Sequence, residues 1–258
     1  FLRRTGEPER GRETLRRAVV SGLEDIEMLR TAADVATRRG EWDEAYVALC
    51  RLAGLLDGAA AAEAHEEAAA VARYHLEQPE DAVVRLRAAV AADPTSWTAW
   101  SALVDRLAES GRQEERVEAL AGLARASVPP LAAEAWYRQG QLLLQLGRPE
   151  EAVSAFQAAQ AAEPTLAAAG QALEALYAQL GDGAALARMF TQRAEGEQGV
   201  DAGWWRIRAA RALEAIGDDA GAERAFRAAA EAGFLPAHTE VQAFLRRRQR
   251  WAELAEAI

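Results

Sequence analysis

The sequence predicts an all-α fold, a solenoid of antiparallel helix pairs, and three observations carry the prediction. The stretch "HLEQPEDAVVRLRAAVAADPT" (75–95) returns seventy residues later as "QLGRPEEAVSAFQAAQAAEPT" (145–165), and self-similarity at a fixed offset marks a repeat architecture. A turn residue recurs every 33 to 37 residues, at Gly6, Gly40, Glu77, Gly111, Gly147, Gly181, Gly217 and Arg250, with Gln249 as the alternative last marker. Finally, 50% of the 258 residues are hydrophobic but only 7% are aromatic. Much of the difference is alanine, the best helix former, and β-branched runs suited to strands are few.

Each repeat reads as two helices. The first, as in "AEAWYRQGQLLLQL" (133–146), carries apolar residues at helical spacing. The marker then turns the chain, and glycine accepts the left-handed backbone of such a turn. Pro79 and Pro149 open the second helix, where a missing N–H forfeits no helical bond. Glutamates follow at the positive end of its dipole. "EEAVSAFQAAQAA" (150–162) is the body of that helix, and Pro164, like Pro94, closes the repeat. Nine residues past successive markers stand Leu15, Leu49, Leu86, Leu120, Phe156, Phe190 and Phe226, all large and apolar. Five past stand Gly11, Ala45, Ala82, Arg116, Ala152, Leu186 and Ala222; twelve past, Ala18, Leu52, Ala89, Leu123, Ala159, Arg193 and Ala229.

Residues 133–166 present Trp136, Gly140, Ala152, Phe156, Ala159 and Pro164; residues 63–96 present Ala70, Ala82, Leu86, Ala89 and Pro94; residues 203–236 present Ala210, Ala222, Phe226 and Ala229. This pattern resembles the tetratricopeptide repeat, with small residues where paired helices cross and large ones between repeats. The resemblance covers nearly the whole chain. Arg116 and Glu174 depart from it by replacing small residues, and 167–200 lacks the closing proline. It implies a right-handed superhelical solenoid over 1–258. Six complete repeats are expected near 26–62, 63–96, 97–132, 133–166, 167–202 and 203–235, with partial repeats at 1–25 and 236–258. The chain is expected to be a fragment of a longer array of this kind, from a bacterial-looking protein.

Composition and motifs disfavour chemistry. A net charge of −10 repels phosphate backbones and argues against nucleic-acid binding. Every basic side chain but the three histidines is an arginine. No apolar run approaches the roughly 20 residues that span a bilayer. Cys50 is the single cysteine, which excludes an internal disulfide and fits a cytoplasmic setting without excluding the periplasm. It is expected to be a small buried residue rather than a reactive thiol. His65, His75 and His238 stand in no metal-ligand spacing, so neither metal nor cofactor is expected. "GDGAAL" (181–186) has no preceding strand and no GK[ST] ending, so it reads as a repeat turn. The pairs Glu66–Glu67, Glu114–Glu115 and Glu150–Glu151 are read as helix-start and solubility residues. Arg38–Arg39 and "RRRQR" (246–250) fit the negative ends of helices; the sharper reading is a basic patch for an acidic partner. Trp204 and Trp205 are adjacent and so face different ways, which leaves one exposed or in the groove.

The resemblance implies a groove lined by the first helices of the repeats. Its recurring contact positions fall on Arg30, Asp34 and Arg38, on Tyr74 and His75, on Ser101 and Asp105, and on Tyr137, Gln141 and Gln145. They continue at Gln171 and Gln179, then at Trp204, Ile207 and Arg211. The lysine and asparagine clamp that some members use on a C-terminal carboxylate is missing. The expected function is a non-catalytic protein–protein interaction scaffold that binds a peptide or partner protein in this groove. The alternative is a regulatory or sensing repeat domain of a larger enzyme whose catalytic part lies outside this sequence. An RNA-binding helical repeat fits the acidic charge least well. Self-association through exposed repeat ends is a further expectation.

Overall fold

The computed structural model describes residues 25–256 together with Glu13 and Arg17. The markers at Gly6 and the positions Gly11, Leu15 and Ala18, like the partial repeat at 1–25, lie outside them apart from Asp25, Glu13 and Arg17. The described residues form two compact units, divided between Leu166 and Ala167.

The first unit holds eight helices, α1 (Ile26–Arg39), α2 (Trp42–Leu55), α3 (Gly58–Tyr74), α4 (Pro79–Ala92), α5 (Trp97–Glu109), α6 (Gln113–Ala126), α7 (Pro129–Gln145) and α8 (Pro149–Ala162). The second holds six, α9 (Ala167–Leu180), α10 (Gly183–Gly196), α11 (Gly199–Ala215), α12 (Asp219–Glu231), α13 (Leu235–Arg247) and α14 (Trp251–Glu256). No strand occurs among the described residues. Within each unit every helix packs on its chain neighbours, the all-helical stacking of a solenoid.

The marker residues are the turns. Gly40, Glu77, Gly111, Gly147, Gly181 and Gly217 all have φ between 55° and 80°. The last marker is Gln249, with φ 57°, and Arg250 follows it. At most of these turns the next residue's N–H reaches back to a carbonyl near the helix end: Glu41 to Ala36 (3.0 Å), Arg148 to Leu143 (2.9 Å), Arg250 to Leu245 (3.0 Å). These are the bonds that satisfy orphan carbonyls in a Schellman ending.

At five of the seven turns the next residue then does one of two jobs. Where it is aspartate it caps the next helix: Asp182 accepts from the Ala185 N–H and Asp218 from the Gly221 N–H, both at 2.9 Å. Where it is arginine it clasps two carboxylates. Arg148 donates from Nε to Glu151 (2.6 Å) and from Nη1 to Glu114 (2.5 Å). Arg112 does the same to Glu115 and Glu80, and Arg250 to Glu253 and Glu223. One of each pair lies on its own helix and the other on the preceding second helix. Removing a cap leaves a helix-end N–H without its partner, so Asp182→Ala is expected to lower stability by about 1 kcal/mol. Asp182→Ser should restore most of it, and urea melts followed by circular dichroism check both.

The core follows the register. Leu49, Leu86, Leu120, Phe156, Phe190 and Phe226, nine past each marker, are all buried. Ala45, Ala82, Ala152 and Ala222, five past, are fully buried where helices cross. Arg116 and Leu186 at that position are only half-buried, so these crossings are less tightly closed.

The seventy-residue offset has its own structural basis. First helices alternate between 13 or 14 residues (α1, α5, α9, α13) and 17 residues (α3, α7, α11). The long ones begin at Gly58, Pro129 and Gly199, ahead of the boundaries at 63, 133 and 203 that the repeat pattern sets. Two residues precede each long helix, whereas Asp93–Ser96 and Glu163–Leu166 precede α5 and α9. In both of the latter junctions the threonine after proline bonds the acidic residue through its N–H and its hydroxyl, Thr95 to Asp93 and Thr165 to Glu163. The two near-copies are therefore the second helices α4 and α8 with the same proline junction behind each.

Candidate functional site

In the first unit, α1 and α3 lie side by side over α2 and enclose an open groove of about 900 Å³. Its floor comes from Leu49, Leu52 and Leu56 at the second helix and from Val71 of α3. Its rim carries Arg30 and Asp34 from α1 and Tyr74 and His75 from the end of α3. These four are sequence-predicted groove positions, and the structure brings them together. They meet because Arg30 and Asp34 stand one turn apart on α1, while Tyr74 and His75 end the long helix opposite. Tyr74 is 69% exposed, so its ring is available to a ligand. His75 stacks flat on Trp42, with ring centroids 3.5 Å apart and planes 6° off parallel.

Arg38 stands outside this lining but ion-pairs with Asp34 (2.9 Å) one turn back. Ser101 is half-buried and Asp105 exposed on α5. On α7 Gln141 and Gln145 are exposed and Tyr137 is half-buried, its ring 5.5 Å from Phe156. None of these five lines the α1–α3 groove.

The second unit has a smaller hollow of about 470 Å³ between α9, α10 and α11, which gathers the predicted Gln171 and Arg211 with Glu174, Phe190 and Arg208. The Arg208 guanidinium lies over Phe190 and Trp205, 4.3 Å and 5.1 Å from their ring centres, and pairs with Glu174. Glu174, a departure from the small-residue pattern, thus holds an arginine. Arg211 pairs with Glu240 of α13 (2.6 Å). Trp204 is the exposed member of its pair, at 50%, with its ring against Phe234; Gln179 is exposed at the end of α9. Ile207 is fully buried and so packs the core rather than facing a ligand.

Sequence reasoning missed Trp42, Glu27, Glu63 and Glu67 in the α1–α3 groove. Trp42 belongs to a second helix, and only first-helix positions were counted. Glu63 and Glu67 sit one turn apart on α3, and that i, i+4 spacing was the available signal. Burial and the neighbouring Glu63 push the Glu67 carboxyl above the usual range, against a smaller pull from Arg30.

Other polar groups have structural surroundings. Burial raises the Cys50 thiol, which also bonds Tyr46 and Arg85; burial first, then the same thiol, takes Tyr46 up to about 12. Burial lowers His65. Glu66 lies mid-helix in α3 rather than at a helix start and accepts from the Ser96 and Thr98 hydroxyls. In the basic run at 246–250, Arg247 pairs with Glu214, Arg248 with Asp219 and Arg250 with Glu223. No cluster of three metal-ligating side chains exists among the described residues. No helix among them is long and apolar enough to cross a membrane.

Residues 133–166 match the family model described as "Tetratricopeptide repeat". The chain carries a tetratricopeptide repeat. Within it Ala152, Phe156 and Ala159 are buried, and Gly140 lies directly beneath the Phe156 ring, so the residues that define the repeat are its packing contacts. None of the curated proteins matches the sequence. Solved structures similar to it include MamA, 19% identical over 73% of this chain and 96% of MamA, with a TM-score of 0.38. Another is YrrB, described as "a TPR protein with an unusual peptide-binding site", 20% identical over 66% of this chain and 86% of YrrB, with a TM-score of 0.39. A third is pilF of Pseudomonas aeruginosa, 18% identical over 92% and 99% of the two chains, with a TM-score of 0.36.

Proposed function

We propose that this tetratricopeptide-repeat chain is a non-catalytic protein-interaction scaffold that takes a peptide or partner segment in the grooves between its first helices. One observation carries the reading. The α1–α3 groove, of about 900 Å³, places polar and aromatic side chains at its rim over an apolar floor, and four of the rim residues are positions the repeat pattern selects. Apolar floors with a few convergent polar groups are the usual form of a binding cleft, and a peptide's backbone and anchor side chains fit such a surface. In this reading Asp105, Tyr137, Gln141 and Gln145 belong to the same row of first-helix positions in the first unit. Trp204 and Arg211 serve the second unit, and the six-repeat division of 26–235 is kept.

The test is capture of partners from a native lysate on the immobilised chain, beside an Arg30→Ala/Tyr74→Ala variant of unchanged helicity. A partner retained by the wild type and reduced at least about tenfold on the variant is expected, since hot-spot residues of this kind dominate such contacts. Equal retention by both would move the binding surface away from this groove.

A further inference from the structure

The charge of the α1–α3 groove points to the chemistry of its occupant. Two side-chain stripes face the groove. On α1 it is Glu27, Arg30 and Asp34; on α3 it is Glu63, Glu67 and Tyr74. Four carboxylates thus stand against one guanidinium, and the second cation nearby, Arg38, is already engaged by Asp34. Glu27, Glu63 and Glu67 have no ion pair with any cation among the described residues, although this chain's arginines are otherwise heavily used. Elsewhere such a carboxylate is held across neighbouring first helices: Arg73 binds Glu109 between α3 and α5, Arg208 binds Glu174 between α11 and α9, and Arg247 binds Glu214 between α13 and α11. Between α1 and α3 Arg30 pulls on Glu67, but among the described residues no ion pair joins the two helices. Burial first, then the neighbouring Glu63, push the Glu67 carboxyl upward, against that smaller pull from Arg30. These carboxylates are exposed at the rim, so a cation placed here would relieve like-charge repulsion in a solvated site, by an amount that salt screens.

The floor adds a second requirement. Leu49 and Leu52 are almost wholly buried and Leu56 half-buried beneath the stripes, and the Trp42–His75 stack closes the end by Tyr74. What a ligand can still cover is the apolar surface of half-buried Leu56 and Trp42 and of exposed Ala60 and Ala70, which a ligand that only supplied charge would leave wet. We propose that the α1–α3 groove binds a cationic amphipathic segment of a partner protein. An arginine or lysine of that segment lies between Glu63 and Glu67, and an aliphatic neighbour rests on the accessible apolar surface of Leu56, Ala60 and Trp42. This rests on the reading of the groove as a peptide site and deepens it.

The test uses the whole chain and three labelled peptides of about twelve residues, built on repeating Arg-Leu-Ala, Gln-Leu-Ala and Glu-Leu-Ala, with binding followed by fluorescence anisotropy. The arginine peptide is expected to bind best and to weaken as salt rises, because exposed charge pairs are screened. Glu63→Gln/Glu67→Gln is expected to weaken it about tenfold or more. Glu118→Gln/Glu195→Gln changes the net charge equally but away from the groove and should leave the affinity within about twofold. Equal weakening by both double variants would reduce the effect to overall charge and overturn the proposal. If the glutamine or glutamate peptide bound as tightly, and lost affinity on Tyr74→Ala, the cationic preference would be wrong while the groove survived. Binding of none of the peptides overturns the proposal too; the groove reading itself falls only on the capture experiment.

Discussion

Phe156→Ala is expected to lower the unfolding free energy by about 3–5 kcal/mol, the range for emptying the site of a buried aromatic. Phe156 is 1% exposed. Its ring covers Gly140 on the preceding helix, close enough that a Cβ there would sit 2.6 Å from the ring edge, and Tyr137 tilts against it at 5.5 Å. Removing the ring therefore opens a void between α7 and α8, and two helices pinned at a glycine cannot move much closer to fill it. In a helical repeat each pair is held mainly by its neighbours, so the loss should also broaden the urea transition as the flanking pairs uncouple. Urea melts followed by helical circular dichroism read both effects. A midpoint unchanged from wild type would mean that the residue nine past the marker is not a core position, and with it the whole register.

That register was legible because each of its signals has a single physical meaning. A glycine at a fixed interval becomes a left-handed turn, and the same geometry at Glu77 and Gln249 shows that the position, not the residue type, imposes the conformation. Gln249 settles the last marker, which the sequence left between two residues, and puts Leu254, 6% exposed, five residues on, in the place of the crossing alanines. Less legible was the alternation behind the seventy-residue offset. Helical periodicity locates a buried stripe but does not say how many residues precede it, so the extra turns of α3, α7 and α11 were invisible to apolar spacing. Their signal was the glycine or proline at Gly58, Pro129 and Gly199, in the same place in each long helix.

The candidate site was legible in part for the same reason. Counting first-helix positions found Arg30, Asp34, Tyr74 and His75 because those positions share one face of α1 and α3. In the second unit it gave Ile207 of α11 the same role, and the residue instead turns into the core formed with Phe226 and Phe234. The acidic stripe of α3 escaped because Glu63 lay at a supposed boundary, and Trp42 because it enters from below, on α2. Charge patterning across two helices emerges only when their separation is known, which no single-helix pattern contains.

Gly203→Ala is expected to destabilise by about 1–3 kcal/mol, the usual cost of overpacking a filled core, even though alanine is the better helix residue by about 1 kcal/mol. Gly203 lies within α11 and faces Phe234, the residue just before α13. An added Cβ would stand 2.4 Å from Phe234 Cγ and 2.5 Å from its Cβ. Those atoms sit next to the backbone, so rotating the ring gives no relief. Phe234 is 5% exposed, and its N–H is fixed to the Ala229 carbonyl. The start of α13 would have to shift, disturbing the Phe226–Phe244 contact at 5.7 Å and the Arg211–Glu240 pair across α11 and α13. Gly54→Ala supplies the opposite sign. That glycine lies in α2 with nothing within 4 Å of the new carbon, and the substitution should stabilise by about 0.5–1 kcal/mol through backbone entropy alone. Urea melts of the two variants side by side separate helix propensity from packing. Stabilisation by both would show that α11 and α13 do not approach closely at Gly203.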